Sequence, residues 1–252
     1  QWTEAGLALL EPAQDMAAAS ARLATLAAGT TARISGTVRI TASVVVSHYL
    51  LPKILATLRA TEPDIEIELV PSDTTENLMY RDADIAIRMY RPTQLDIVTR
   101  KVAEQPLALY ATPALLDRLG PLRRPEDLAT ADFVGFDRSD LIIRSMRQMG
   151  LYVDRHFFGV RCDDQATYWE LVCAGCGIGA MQTCIGDADP RVRRLGVHVD
   201  LTPLPVWLAT HETLYRNARV KRVWRSLAEQ LSQNLRQQQP PIQTPKPISS
   251  PD

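Results

Sequence analysis

The sequence has no long apolar run and no excess of basic charge. No stretch of its 252 residues approaches the roughly 20 apolar residues that cross a bilayer, and residues 1–30 lack the apolar core of a signal peptide. Lys and Arg number 28 against 29 Asp and Glu, which gives a net charge of −1. A chain that grips nucleic acid by itself usually carries a basic face. We therefore expect a cytoplasmic protein, away from membranes, that binds small molecules or other proteins.

Motifs of catalysis are also missing from the sequence. The four histidines are scattered, and neither HExxH nor GxSxG occurs, which argues against a zinc protease or a serine hydrolase. The glycines of GCGIG at 175–179 have the wrong spacing for a dinucleotide-binding turn. We expect no enzymatic activity and no cofactor.

Cysteine is scarce, with four residues in the chain, too few for a disulfide-dense secreted miniprotein. Cys173 and Cys176 form a CxxC, but no second CxxC completes a zinc ribbon. Their apolar surroundings favour buried thiols without a metal. A redox pair formed by Cys176 and Cys184 stays open as an alternative.

What the sequence does contain is an alternation of strand and helix patterns. In the first part of the chain these patterns lie at 37–42, 44–60, 65–70, 74–81 and 83–88. Strands that alternate with helices are typical of a parallel sheet with right-handed crossovers. Glu66 and Glu68 interrupt the apolar side chains of 65–70, which predicts an edge strand and a strand order of 2-1-3.

The alternation repeats beyond an extended stretch at 97–110, which Pro106 must interrupt. Further helices are predicted at 112–119, 139–149, 164–174 and 218–236, and further strands at 132–136, 157–161, 178–183 and about 205–210. The fold class is therefore α/β, with two Rossmann-like subdomains around a cleft. We assign 36–110 and 190–236 to a discontinuous subdomain I and 111–189 to subdomain II.

The two ends of the chain differ in composition from the middle. Leu9, Met16 and Leu23 lie seven residues apart in an Ala-rich segment, which predicts a long helix kinked at Pro12. We assign 1–30 to a dimerisation helix, although packing on its own domain would give the same pattern. Residues 237–252 are rich in proline and are predicted to form a flexible tail.

Ligands of open α/β sheets bind beyond the carboxyl ends of the strands. This rule selects eight candidate ligand-binding residues, namely Ser43, Val44, Arg88, Thr93, Phe136, Asp137, Asp164 and Gln165. Ser43 as a helix cap would leave backbone amides that favour an anion, and Arg88 adds positive charge. This lining favours a small molecule that carries a carboxylate. Ser43 and Asp164 could equally be simple helix caps, and Arg88 an ion-pair partner.

An ordered series of segments resembles LysR-type transcriptional regulators. The segments are TEAGLALLEP at 3–12, GTVRITAS at 36–43, LLPKILATLRATEPDIEIEL at 50–69, ADIAIR at 83–88, DFVGF at 132–136 and AGCGIGAM at 174–181. The resemblance implies a fold like that of type II periplasmic binding proteins, preceded by a long linker helix. It also implies that DNA is contacted only through a winged helix-turn-helix domain outside this sequence.

The resemblance further implies a mechanism and an assembly. A small-molecule effector would bind in the cleft and change the arrangement of a homodimer or homotetramer on DNA. Assembly would use residues 3–28 and an antiparallel pairing of helix 44–60 with helix 218–236 of the other chain. Trp224 and Leu227 are either anchors of that interface or core residues. A soluble solute-binding protein of the same fold is the rival interpretation, but it has no use for a dimerising helix.

Overall fold

The computed structural model describes residues 34–73 and 83–237, together with Pro12, Met16, Ala17, Ala19 and Ser20. Those five separate positions are helical and are the described part of the predicted linker helix. The rest of that helix, the predicted helix at 74–81 and residues 238–252 of the predicted tail lie outside the described residues. Among the described helices, none combines the length and the apolar character that crossing a membrane requires.

Ten strands and eight α-helices make up the described fold. The strands are β1 (Gly36–Ala42), β2 (Ile65–Pro71), β3 (Ile85–Arg88), β4 (Ile97–Gln105), β5 (Leu107–Ala111), β6 (Val134–Gly135), β7 (Val160–Arg161), β8 (Gly179–Gln182), β9 (Arg193–Arg194) and β10 (Leu204–His211). The α-helices are α1 (Val44–Tyr49), α2 (Leu51–Thr61), α3 (Pro113–Leu119), α4 (Leu141–Gln148), α5 (Gln165–Cys173), α6 (Thr183–Gly186), α7 (Glu212–Tyr215) and α8 (Ala218–Gln237). Short 3-10 helices lie at Pro125–Thr130 and Arg155–Phe157.

The first sheet has five strands in the order β2-β1-β3-β10-β4. Its first three strands are parallel and follow the predicted order 2-1-3, with the predicted edge strand at the edge. The glutamates of β2 bond to the neighbouring strand, Glu66 to Thr37 and Glu68 to Arg39. The expectation of a parallel sheet is wrong for β10, which runs antiparallel to both β3 and β4. The sheet is therefore mixed.

The predicted helix at 44–60 is two helices, α1 and α2, which meet at Leu50. A continuous helix would need an N–H at Pro52 to bond the carbonyl of His48, and proline has none. The ring is tolerated only near the start of a new helix. The sequence therefore already contains the cause of the break.

The second part of the molecule is built on shorter strands. One sheet has the order β8-β5-β9, β6 pairs with β7 in parallel, and Phe133 bridges to Ile178. As predicted, Pro106 interrupts the extended stretch, because it cannot donate to a sheet ladder, and β4 and β5 belong to different sheets. Both β5 and β9 belong to the second sheet. Residues 107–110 of β5 and 193–194 of β9 lie within the ranges that we assigned to subdomain I.

The main core lies between the first sheet and α1, α2 and α8, and it continues into α5 and α6. The amphipathic stripe of α8 faces this core, and Trp224 and Leu227 are both buried within the chain. These two residues are therefore core residues and not exposed interface anchors. A second, smaller core includes Leu128, Phe133 and Phe158.

Candidate functional site

An apolar cavity of about 150 Å³ lies where the two sheets meet. Val45 of α1 and Leu204 of β10 line it from the side of the first sheet. The opposite walls come from β5, β8, α4 and α5, and Leu201 and Phe133 also line the cavity. Of the eight predicted ligand-binding residues, Phe136 and Gln165 line this cavity.

Tyr168 forms a fixed wall of the cavity. Its hydroxyl oxygen accepts the backbone N–H of Ala180 at 2.9 Å, and its ring packs on Phe136 with 5.2 Å between centroids. Burial raises the pKa of Tyr168 to about 12, so the phenol stays neutral. This wall is suited to an apolar or aromatic ligand body.

Gln182 supplies a polar group to the same cavity. The residue is 5% exposed, and its side-chain carbonyl oxygen has no hydrogen-bond partner. A buried acceptor without a partner is costly, and a ligand N–H or O–H would satisfy it. Neither Gln182 nor Tyr168 was predicted from the sequence. The three-residue spacing from Gln165 to Tyr168, which places them on one helix face, was the available signal.

Arg88 lies at the carboxyl end of β3 and is 2% exposed. Its guanidinium donates to the Thr41 hydroxyl and to the Ile87 carbonyl, each at 3.1 Å, while Nε has no partner. Burial lowers the pKa of Arg88, and the nearby Tyr90 and Asp73 side chains partly offset this shift. No ion pair joins Arg88 to a carboxylate of the described residues, so the predicted ion-pair alternative is not seen there.

Ser43 does not cap α1. Its hydroxyl makes no cap hydrogen bond and has no partner. Instead, the Val44 N–H donates to the Asp73 carboxylate at 3.1 Å. The amide that we expected to attract a ligand anion is therefore already bonded to the chain's own carboxylate, and an anion site at this helix start stays a prediction.

The remaining predicted residues stand apart from the cavity. Thr93 and Asp137 are exposed, and Asp137 pairs with Arg155 at 2.5 Å. Asp164 caps α5, because the Thr167 N–H donates to it at 2.8 Å, and this bond lowers the pKa of Asp164. The helix-cap alternative is therefore the one the structure shows for Asp164.

Asp163, which was not predicted from the sequence, organises the loop after β6. Its carboxylate accepts the backbone N–H groups of Asp137, Arg138 and Ser139 at 3.0 to 3.4 Å. Phe136 precedes this loop, so Asp163 fixes the chain beside the cavity. No sequence pattern marked it, because its partners lie some 25 residues away.

Tyr49 and Glu170 connect the two parts of the molecule directly. The Tyr49 hydroxyl on α1 donates to Glu170 on α5 at 3.2 Å. Arg191 then bonds both Glu170 and Asp189. Asp189 also accepts from the Trp169 indole at 3.3 Å and from the Cys173 thiol at 3.4 Å.

The cysteines differ in exposure. Cys173 and Cys184 are buried, and burial raises the pKa of each to about 12, which disfavours the reactive thiolate. Cys176 is exposed, so the expectation of a core thiol is wrong at this position. Within the described residues, no group of three or more His, Cys, Asp and Glu side chains is placed to hold a metal.

Comparison with known proteins gives a family match over most of the chain. Residues 31–232 match the family model of the LysR substrate binding domain. PtxR, an HTH-type transcriptional regulator of Pseudomonas aeruginosa, is 27% identical over 104 residues, which cover 41% of this chain and 33% of PtxR. The chain spans at most half of the length of the curated relatives that it matches.

Solved structures give the same fold. CrgA, a LysR-type transcriptional regulator from Neisseria meningitidis, has a TM-score of 0.69 at 20% identity, over 91% of this chain and 80% of CrgA. The effector binding domain of QuiR, solved in complex with shikimate, has a TM-score of 0.60 at 16% identity, over 81% of this chain and 97% of that domain. The family match and these folds together show that this chain belongs to the LysR-type transcriptional regulators and carries their substrate-binding domain.

Proposed function

We propose that this chain is the effector-sensing and oligomerisation region of its regulator and has no catalytic role. A small molecule binds between the unit that contains the first sheet and the unit that contains β5, β8 and β9. Binding changes the arrangement of a homodimer or homotetramer in the cytoplasm, and a separate winged helix-turn-helix domain contacts DNA. The observation that carries the proposal is the apolar cavity where the two sheets meet.

The cavity restricts the effector to a compact and mainly apolar body. The rings of Phe136 and Tyr168 can pack against an apolar ligand. The unpaired side-chain carbonyl of Gln182 can accept a hydrogen bond from an N–H or O–H group of the ligand. QuiR supports ligand binding by this fold, since its effector binding domain holds shikimate. A volume of about 150 Å³ excludes large cofactors.

A ligand can shift the arrangement of the two units only if it binds one arrangement more tightly than the other. The cavity has walls from both units, so its width depends on their relative orientation. The Tyr49–Glu170 hydrogen bond joins the same two units. A ligand that holds the units closer therefore stabilises the arrangement in which this bond is made.

The test is a thermal-shift screen of the chain with small aromatic and alicyclic compounds, both neutral and acidic. A ligand present at 100 times its dissociation constant stabilises the protein by about 2.7 kcal/mol. Ser145→Phe places a ring in the cavity, whereas Gln148→Phe adds the same ring to an exposed position of the same helix, outside the cavity lining.

The expected result is a rise in melting temperature that Ser145→Phe abolishes and Gln148→Phe preserves. A screen with no stabilising compound would contradict the proposal. So would a stabilisation that persists unchanged in Ser145→Phe, because the ligand would then bind elsewhere.

A further inference from the structure

The carboxamide of Gln182 is a buried polar group whose carbonyl the fold leaves unpaired. Gln182 stands directly before α6, in the position of a helix cap, yet its side chain makes no cap hydrogen bond. The residue is buried, and its side-chain carbonyl oxygen has no hydrogen-bond partner. A buried acceptor without a partner lowers the stability of a protein. A binding role therefore explains this carboxamide better than a structural role does.

The pairing of β5 with β8 shows that the Gln182 side chain projects into the cavity. Gln182 pairs with Leu107, and Ala180 pairs with Leu109. Paired residues, and residues two apart on one strand, project to the same face of a sheet. All four of these residues line the cavity, so the free carbonyl of Gln182 is directed at the ligand space.

The rest of the lining disfavours a charged ligand group. Among the described residues that line the cavity, only Tyr168 has an ionisable side chain, and its phenol stays neutral. Arg88 and Arg91 do not belong to the lining. A charged group that leaves water for an apolar site without a counter-charge is strongly unfavourable. A carboxylate also has no hydrogen to donate to the Gln182 carbonyl.

The size and the walls of the cavity suit a single aromatic ring. An apolar cavity of about 150 Å³ can hold one benzene-sized molecule, and this cavity has that volume. Phe136 and Tyr168 supply aromatic walls. Ser145 and Gln165 are further polar residues of the lining, but both are only half-buried. Gln182 is therefore the acceptor that gains most from a donor on the ring.

We infer that Gln182 selects an uncharged aromatic effector by accepting a hydrogen bond from its hydroxyl or N–H group. This inference rests on the proposed function, and it narrows the effector from compact apolar molecules to neutral ring compounds with a donor. It departs from the carboxylate that the sequence favours. Phenol is the simplest molecule that meets both requirements, because its ring is apolar and its hydroxyl donates.

The test compares two pairs of probes by titration calorimetry and thermal shift. Phenol and toluene are alike in size and differ in the donor, whereas benzamide and benzoate are alike in shape and differ in charge. Binding is measured on the chain, on Gln182→Met and on Gln165→Met. Methionine is unbranched like glutamine and lacks the carboxamide. Gln165 lines the same cavity but is only half-buried, so Gln165→Met is the matched control.

We expect the chain to bind benzamide and to reject benzoate. In Gln182→Met, the affinity for phenol relative to toluene should fall by about 2- to 10-fold, as the net value of one neutral hydrogen bond predicts. Comparing the ratio in parent and variant cancels the difference in hydrophobic transfer between the two probes. Gln165→Met should leave the ratio unchanged.

Stability without ligand separates a binding role of Gln182 from a structural one. Gln182→Met should unfold at the same temperature as the parent or higher, because it removes an acceptor that has no partner. A marked loss of stability, or a phenol-to-toluene ratio that does not change, would overturn the inference. An equal change of the ratio in Gln165→Met would also overturn it. The benzoate comparison needs no variant, and tighter binding of benzoate than of benzamide would contradict the selection of a neutral ligand.

The outcome for the proposed function is distinct. Charged compounds that stabilise the chain and lose their effect in Ser145→Phe, while neutral ring compounds have none, would leave the cavity proposal standing and overturn this inference. If no compound of either kind stabilises the chain, both fail.

Discussion

Asp189 is the acceptor of an unusually dense set of hydrogen bonds, and replacing it with alanine should destabilise the fold strongly. Its carboxylate accepts from the Trp169 indole, the Cys173 thiol and three N–H groups of Arg191. Trp169 is fully buried, so its indole N–H would lose its protein acceptor in the variant. The loss therefore includes the desolvation of a donor that no longer has a partner.

The expected loss of stability in Asp189→Ala follows from how deeply each hydrogen-bond partner of Asp189 is buried. The unpaired indole costs about 1–3 kcal/mol, and the weak thiol donor adds less. The Arg191 side chain is 47% exposed and keeps Glu170, so solvent screening limits its share to about 1 kcal/mol or less. We expect the free energy of unfolding to fall by about 1–4 kcal/mol in total.

The effect should depend on pH. Hydrogen bonds from Arg191 hold the pKa of Asp189 well below its usual range. A group whose pKa is lower in the folded state stabilises the fold above its unfolded pKa of about 3.9. That contribution is lost as the pH falls from about 4 toward the folded-state pKa, so the parent should lose more stability in acid than Asp189→Ala.

Urea unfolding followed by tryptophan fluorescence measures these differences. Asp132→Ala is the control, since Asp132 forms a surface ion pair with Arg118 at 3.4 Å and both side chains are at least 65% exposed. The control should change stability by less than about 0.5 kcal/mol. A cost for Asp189→Ala as small as that of the control, or parallel pH profiles for parent and variant, would refute the reasoning.

Two further predictions concern packing and thiol reactivity. A Cβ at Gly186 would lie 2.3 Å from the ring of the buried Tyr110, so Gly186→Ala should cost about 1–3 kcal/mol by overpacking. A Cβ at Gly159 would lie within 4 Å of no atom of the described residues apart from Gly159 itself and its two neighbours in the chain, so Gly159→Ala should leave the stability unchanged or slightly higher. Thermal unfolding of both variants measures the difference, and equal melting temperatures would contradict the close contact between Gly186 and Tyr110. A thiol reagent should modify the exposed Cys176 before the buried Cys184, whose pKa burial raises to about 12. Mass spectrometry of Cys176→Ser should show that the fast modification is lost, and rapid labelling of Cys184 in the folded chain would count against its burial.

Much of the fold could be predicted where the deciding signal is local. Glu66 and Glu68 marked β2 as an edge strand, Pro106 marked the end of β4, and Thr112 opened α3, where it accepts the Leu115 N–H. The break at Leu50 was equally readable from Pro52. In each case one residue type restricts the backbone or the burial of its own segment.

The parts that sequence reasoning missed depend on distant partners. The antiparallel direction of β10 follows from pairing with β3 and β4, more than 90 residues earlier, and no pattern within 204–211 shows it. Ser43 has the residue type of a helix cap, yet the Val44 N–H is accepted by Asp73, which lies 29 residues from Val44. Two of the predicted ligand-binding residues, Phe136 and Gln165, line the cavity. Gln182 was not predicted, because its free carbonyl depends on the packing of two sheets.

The position of β10 has a consequence for how this protein is made. Because β10 lies between β3 and β4, those two strands emerge from the ribosome about 100 residues before the strand that joins them. Until then each has an unpaired edge, and such edges attract other chains. Contacts over this sequence distance also fold slowly. A nascent chain stalled before residue 204 would therefore be the form most in need of a chaperone.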